Sequence, residues 1–230
     1  MIKLENTEVF GWEAAIRGMR NPMNSHAKTD TDFRKKIICG DSEEFCDIEL
    51  GENDLSLMKR LRNSGHDHRK YLRMINVTVD ITAPLYWWKE FDTYKVSTTR
   101  NSCSTMHKIH AKEFTLDDFS HEHLIPLTLD TLKDTIDNLN EAREVYLGWD
   151  KFISKGMILP ELKTKKDIWW QMIQLLPSSY NQKATVQLNY EVLNNMYHSR
   201  RNHKLDEWRD GFCDWVKTLP YAKELITGEE

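Results

Sequence analysis

Hydrophobic positions along this chain change period several times, and each change marks an element. Between residues 73 and 82, Ile75, Val77, Val79 and Ile81 alternate with polar neighbours, the period-two pattern of a strand. Segments 2–9 and 36–40 read as two further strands. Trp12, Ala15, Ile16 and Met19 fall at helical spacing instead. Leu55, Met58 and Leu61 do the same in a helix expected over 53–63, which stops at Ser64-Gly65. Ala83-Pro84 breaks the strongest strand, after which Tyr86, Trp87, Trp88 and Phe91 form an aromatic helix. From 127 to 149, Leu129, Leu132, Ile136, Leu139 and Val145 trace the buried side of a long amphipathic helix. Asp167 is placed to cap a helix that ends near Leu176-Pro177. Trp208, Phe212, Trp215 and Val216 supply the apolar face of a terminal helix pair split at Pro220. Together these elements predict an α+β fold, a mainly antiparallel sheet packed with long helices.

Composition narrows the setting. With 40% hydrophobic and 30% charged residues, the 230-residue chain has a globular balance and can bury its core as a single domain, 1–230. A net charge of -4 argues against nonspecific polyanion binding, so nucleic acid is not the expected partner. Cys39, Cys46, Cys103 and Cys213 lack the two-residue spacing of a zinc knuckle or redox motif. They read as free thiols of a reducing cytoplasm. No run of 18 apolar residues occurs, which predicts a cytoplasmic protein with no membrane partner.

Candidate chemistry concentrates in a few places. Residues 97–105 carry hydroxyl, amide, thiol or guanidinium groups at every position and read as a ligand-facing loop. Arg17 and Arg20, three apart beside Asn21-Pro22, read either as a phosphate contact or as a salt-bridged helix end. Three histidine pairs (His66 with His68, His107 with His110, His121 with His123) raise a metal site, but no third ligand is in view and none is assigned. The pair Trp169-Trp170 reads as core or as a cofactor shelf. Cys103, near Arg100 and His107, would need a lowered pKa to act as a nucleophile. Arg200, Arg201, His198 and His203 make one helix end strongly basic, as anion recognition or as a complement to the helix dipole.

The order Gly65-His66, strand, Ala83-Pro84, aromatic helix and polar loop resembles the flavin-dependent thymidylate synthases. In that family the aromatic helix leads to a signature of the form RHRxxSxNExS. Here Ser97 and Ser102 take the positions of its two serines, while Asp92, Thr93 and Tyr94, or Thr93, Tyr94 and Lys95, stand where the family has Arg-His-Arg. Tyr71, Leu72 and Arg73 occupy the region of the family's Phe-Glu-His turn. A second resemblance follows: Leu176-Pro177, the loop SSYNQKATVQ, Asn189 opening a helix, and Arg200 eleven residues later, with Glu191 at the arginine of the family's Asn-x-Arg-Ser.

The resemblance implies a flavin-dependent thymidylate synthase-like fold and a homotetramer. It also implies reductive one-carbon transfer to deoxyuridylate, using FAD, a reduced nicotinamide cofactor and a folate. The alternative is a noncatalytic or repurposed pyrimidine-nucleotide-binding protein of the same fold. The implied residues are Arg200 in catalysis, and Ser97, Arg100, Ser102, Ser104 and Arg200 on the nucleotide. His66, Lys95 and Asn189 are implied on the cofactor. Loss of the signature arginines predicts weak FAD binding, since no neutral side chain replaces a guanidinium on phosphate.

Overall fold

The computed structural model describes residues 2–33 and 48–228. The expected strand 36–40, the acidic turn at Asp41, Glu43 and Glu44, and Cys39 and Cys46 lie outside the described residues. Four strands form an antiparallel sheet in the order β1-β2-β4-β3. They are β1 (Lys3–Phe10), β2 (Asn76–Pro84), β3 (Thr99–Ser102) and β4 (Asn181–Asn189).

β2 realises the alternation seen in the sequence: Val77, Val79, Ile81 and Ala83 are all fully buried, and Asn76, Thr78, Asp80 and Thr82 are partly exposed. Each aliphatic side chain sealed this way contributes about 1.5–3 kcal/mol. β1 is mostly exposed and carries Lys3, Glu5 and Glu8, charges that suit an edge strand. Two strands correct the sequence expectation. Residues 178–187 read as a loop, yet 181–189 is β4, because Gln182, Ala184, Val186 and Leu188 alternate inward and two of them are weakly apolar. The polar loop 97–105 contains β3, which has no apolar residue; the Cys103 N–H donates to the Lys183 carbonyl at 2.9 Å just beyond it.

The residues fall into two compact units. One comprises Thr82–Asp92 and Asn101–Ala184. Its core joins Phe114, Phe119, Leu132, Ile136, Leu139, Ile168 and Met172, with α5 (Pro126–Leu147) packed on α7 (Lys165–Leu175). Leu129 and Val145, expected inside, are only partly buried. In the same unit α3 (Leu85–Phe91) starts where Pro84 breaks the strand, and its first N–H groups donate to the carbonyls of Tyr180 and Ser178 at 3.0 Å each. Trp87 stacks on Phe91 at 5.3 Å and meets Trp88 edge-on at 4.9 Å, so the aromatic block is core. The short helices α4 (Thr105–Lys108) and α6 (Trp149–Ser154) complete this unit's helices.

The other unit comprises Ile2–Ile81, Thr93–Arg100 and Thr185–Glu230. It holds α1 (Trp12–Arg20), α2 (Glu52–Asn63), α8 (Tyr190–Arg200) and α9 (Cys213–Lys217). A 3-10 turn, Arg69–Met74, packs against α1, α2 and α8. Gly11 links β1 to α1 at φ +96°, and a Cβ there would lie 2.0 Å from the Met74 carbonyl oxygen, so only glycine fits. The expected terminal helix pair becomes a π-helical turn, Glu207–Phe212, running into α9, with a second π-helical turn at Lys223–Thr227. Among the described residues, no helix is long and apolar enough to cross a membrane.

Arg20 and Asp54 anchor this unit. Their guanidinium and carboxylate lie 2.5 Å apart with side chains 3% and 0% exposed. Arg20 also donates to the carbonyls of Ser25 and Lys28, while Asp54 Oδ2 accepts from the Asp30 and Thr31 N–H groups and the Thr31 hydroxyl. Breaking a buried pair strands the remaining charge, so Asp54→Ala is expected to cost about 3–5 kcal/mol in urea unfolding. A loss below about 1 kcal/mol would mean that water reaches the site.

Candidate functional site

α8 begins at Asn189, whose side-chain oxygen accepts from the Val192 N–H at 3.0 Å, and it ends on Arg200. Arg200 Nε donates to the Tyr94 hydroxyl at 2.8 Å. The guanidinium carbon lies 5.4 Å from the Tyr94 ring centre and 5.0 Å from that of Trp208. Trp208 is fully buried in the π-helical turn, and the preceding turn is ordered by the Leu205 N–H donating to His203 Nδ1 at 3.2 Å. Cation–π attraction of this kind is worth about 0.5–2 kcal/mol. The partly exposed guanidinium is therefore oriented before any ligand arrives.

A second group of charges lies at the start of the same helix. Glu191 is 4% exposed. Arg69 Nε donates to its Oε1 at 3.1 Å; the same nitrogen is 3.0 Å from Oε2 but not directed at it, which leaves Oε2 a buried acceptor without a donor. His66 Nε2 is 3.3 Å from Oε1 and 3.3 Å from the Arg73 guanidinium. Arg69 also reaches the Asn195 side chain at 3.3 Å. One turn further on, Arg62 lies 3.3 Å from His198 Nε2 and donates to the Ile226 carbonyl at 2.9 Å. Burial, with help from Arg62 and Arg201, pushes the His198 pKa below its ordinary value. The group is cationic around one carboxylate, and the first-turn position of Glu191 suits the helix dipole.

The expected residues divide between these places. Arg200 meets Tyr94 and Trp208; His66 meets Glu191 and Arg73; Asn189 spends its oxygen on capping α8. Lys95 and Ser97 are exposed, with Ser97 in a left-handed turn at φ 60°, and Arg100 is partly exposed at the start of β3. Ser102 and Ser104 belong to the other unit, where the Ser104 hydroxyl caps α4 by accepting from the His107 N–H at 3.1 Å. Arg20 is taken by Asp54, so the two arginines do not face one phosphate together, and Arg17 is exposed, 3.9 Å from Glu13. Among the described residues, no three His, Cys, Asp or Glu side chains could hold a metal ion. Cys103 is exposed, whereas burial pushes the Cys213 thiol up to about 11.

Two cavities along α2, of about 620 and 710 Å³, share Arg60 and Ser64; of the candidate residues they include only Arg20, which Asp54 holds. Trp208 was not expected at a site and carries no local signal, whereas Tyr94 stands at a signature position of the resemblance.

The fold is that of thymidylate synthase X from Helicobacter pylori, a protein crystallised with FAD and dUMP. That structure superposes with a TM-score of 0.64 at 16% identity, over 99% of this chain and 98% of that one. A second structure of the Helicobacter pylori flavin-dependent thymidylate synthase, also complexed with FAD and dUMP, gives 0.62 at 16% identity over 98% of each chain. No family model and no curated protein sequence matches this chain.

The depressed His198 pKa sets a pH dependence. The unfolded chain takes up the proton more readily, so the His198 contribution is complete above 6.5, its ordinary value, and is lost as pH falls through the lower folded value. Thermal melts from about pH 7.5 to about pH 5 should therefore show a steeper fall in Tm for the parent than for His198→Asn. Parallel curves would remove the effect.

Proposed function

We propose that this chain recognises a pyrimidine nucleotide, deoxyuridylate in the first instance, through Arg200 on the flavin-dependent thymidylate synthase fold. The supporting observation is the oriented guanidinium between Tyr94 and Trp208. Both solved neighbours contain dUMP as well as the fold. An oriented guanidinium loses little freedom on meeting phosphate or a base carbonyl, and it forms charge-assisted hydrogen bonds with either. In this reading Ser97 and Arg100, which share a unit with Arg200, assist on the nucleotide. Tyr94 is a positioning residue that acts through Arg200.

The fuller form of the reading is a divergent flavin-dependent thymidylate synthase, a cytoplasmic homotetramer using FAD, a reduced nicotinamide cofactor and a folate. When bound, the flavin would supply hydride chemistry. The residues here fit its pyrophosphate poorly: Asp92 adds a negative charge, and the Tyr94 hydroxyl already accepts from Arg200. Arg69 is held by Glu191, and Lys95 is the one cation in the replaced stretch. We accordingly favour the nucleotide-binding form over the complete synthase, with His66, Lys95 and Asn189 as the residues a cofactor would meet. The single-domain reading of 1–230 stands as part of the same proposal and calls for one cooperative thermal transition.

Calorimetric titration with deoxyuridylate tests the nucleotide. Arg200→Ala is expected to weaken binding by about 1.5–3 kcal/mol. Tyr94→Phe, which keeps the ring and removes the hydroxyl, should cost about 0.5–1.5 kcal/mol and nothing further once Arg200 is Ala. Unchanged affinity in Arg200→Ala would defeat the reading, whereas an effect of Arg200 alone would remove only the role given to Tyr94.

A separate measurement addresses the cofactor. The purified protein should be colourless or only partly loaded with flavin in its visible spectrum before FAD is added. Near-stoichiometric flavin, followed by deoxyuridylate-dependent reoxidation with a folate donor, would restore the complete synthase.

A further inference from the structure

The unit that contains Asn101–Ala184 carries a second set of cations and rings that the nucleotide reading leaves unused. His107, His110, Tyr146, Lys165, Lys166 and Trp169 line a surface cavity of about 430 Å³. That volume lies within the span of small-molecule sites, roughly 300–1,000 Å³.

The lining contains no carboxylate. Asp167, the next residue along, is turned back onto its own helix start, accepting from the Lys163 and Thr164 N–H groups at 3.0 and 2.7 Å. Lys165 and Lys166 are exposed in the first turn of α7, where cations oppose the helix dipole. Neither forms an ion pair among the described residues. They do not stabilise the helix they begin, so their charge is available to a ligand. The Lys165 ammonium is held 4.5 Å over the Tyr146 ring, and the His110 ring lies 4.7 Å from that ring's centre. His110 Nδ1 is buried without a hydrogen-bond partner, a state that is unfavourable until a water or ligand oxygen meets it. Trp169 donates from its indole N–H to the Met106 carbonyl at 3.1 Å, which fixes its flat ring as a wall.

We propose that this cavity binds a small aromatic phosphomonoester. The two ammonium groups match the near-dianionic phosphate of such an ester, and the imidazoles of His107 and His110 offer hydrogen bonds to its oxygens. The aromatic ring of the ligand lies against Trp169. This site is independent of Arg200 and stands whether or not the nucleotide reading holds.

Phenyl phosphate is the probe, titrated calorimetrically into the full chain, with inorganic phosphate and phenol in parallel. The expected result is saturable binding of phenyl phosphate, tighter than either fragment. The double substitution Lys165→Ala with Lys166→Ala should weaken it at least about tenfold. His110→Phe, which keeps a ring on Tyr146 and removes both nitrogens, should weaken it by a few-fold, about the loss of one hydrogen bond. Thermal melts of the three proteins verify that they fold. Phenyl phosphate binding that is absent, or unaffected by the lysine substitutions, overturns the proposal. So does inorganic phosphate binding equally well, since the aromatic wall would then contribute nothing. Loss of binding in Arg200→Ala, with the lysine variant intact, would move the phosphate to the other site and overturn the proposal as well.

Discussion

Buried charge must be paired, and that constraint organises one of the two units. Arg20 and Asp54 are almost wholly removed from water, a state that costs several kcal/mol per ion unless hydrogen bonds and an opposite charge offset it. Every polar atom of the pair accordingly reaches for a partner along the chain. The end of α1, the carbonyls of Ser25 and Lys28, the amides of Asp30 and Thr31, and the start of α2 are gathered around one ionic contact. The Arg69–Glu191 pair follows the same rule at the start of α8, less completely, since one carboxylate oxygen lacks a donor.

Arg20 and Arg69 are committed to carboxylates within the unit. Arg200 has a different environment, in which two aromatic rings and a phenol oxygen orient the guanidinium. The sheet and helices follow the thymidylate synthase X structures at 16% identity.

Much of the fold was legible in the sequence because its signals are local. The alternation of Ile75, Val77, Val79 and Ile81 specifies a strand, Pro84 specifies where it stops, and the spacing of Leu132, Ile136 and Leu139 specifies a helix face. Arg200 was legible as a candidate through its distance from Asn189 and through the basic cluster around it. β4 was not, since Gln182 and Ala184 weaken its alternation. β3 was not, since its backbone pairing owes nothing to apolar side chains.

The partners of the charged residues were decided only by tertiary structure. Arg200 and Tyr94 are 106 positions apart, Arg69 and Glu191 are 122 apart, and Arg20 and Asp54 are 34 apart. By itself the sequence determined the residue types, their local periods and the positions where a family pattern persists or lapses. What each arginine meets depends on burial and on the neighbours that burial imposes. Those follow from how distant segments pack, because the free energy of a charge is set by its surroundings rather than by its place in the chain.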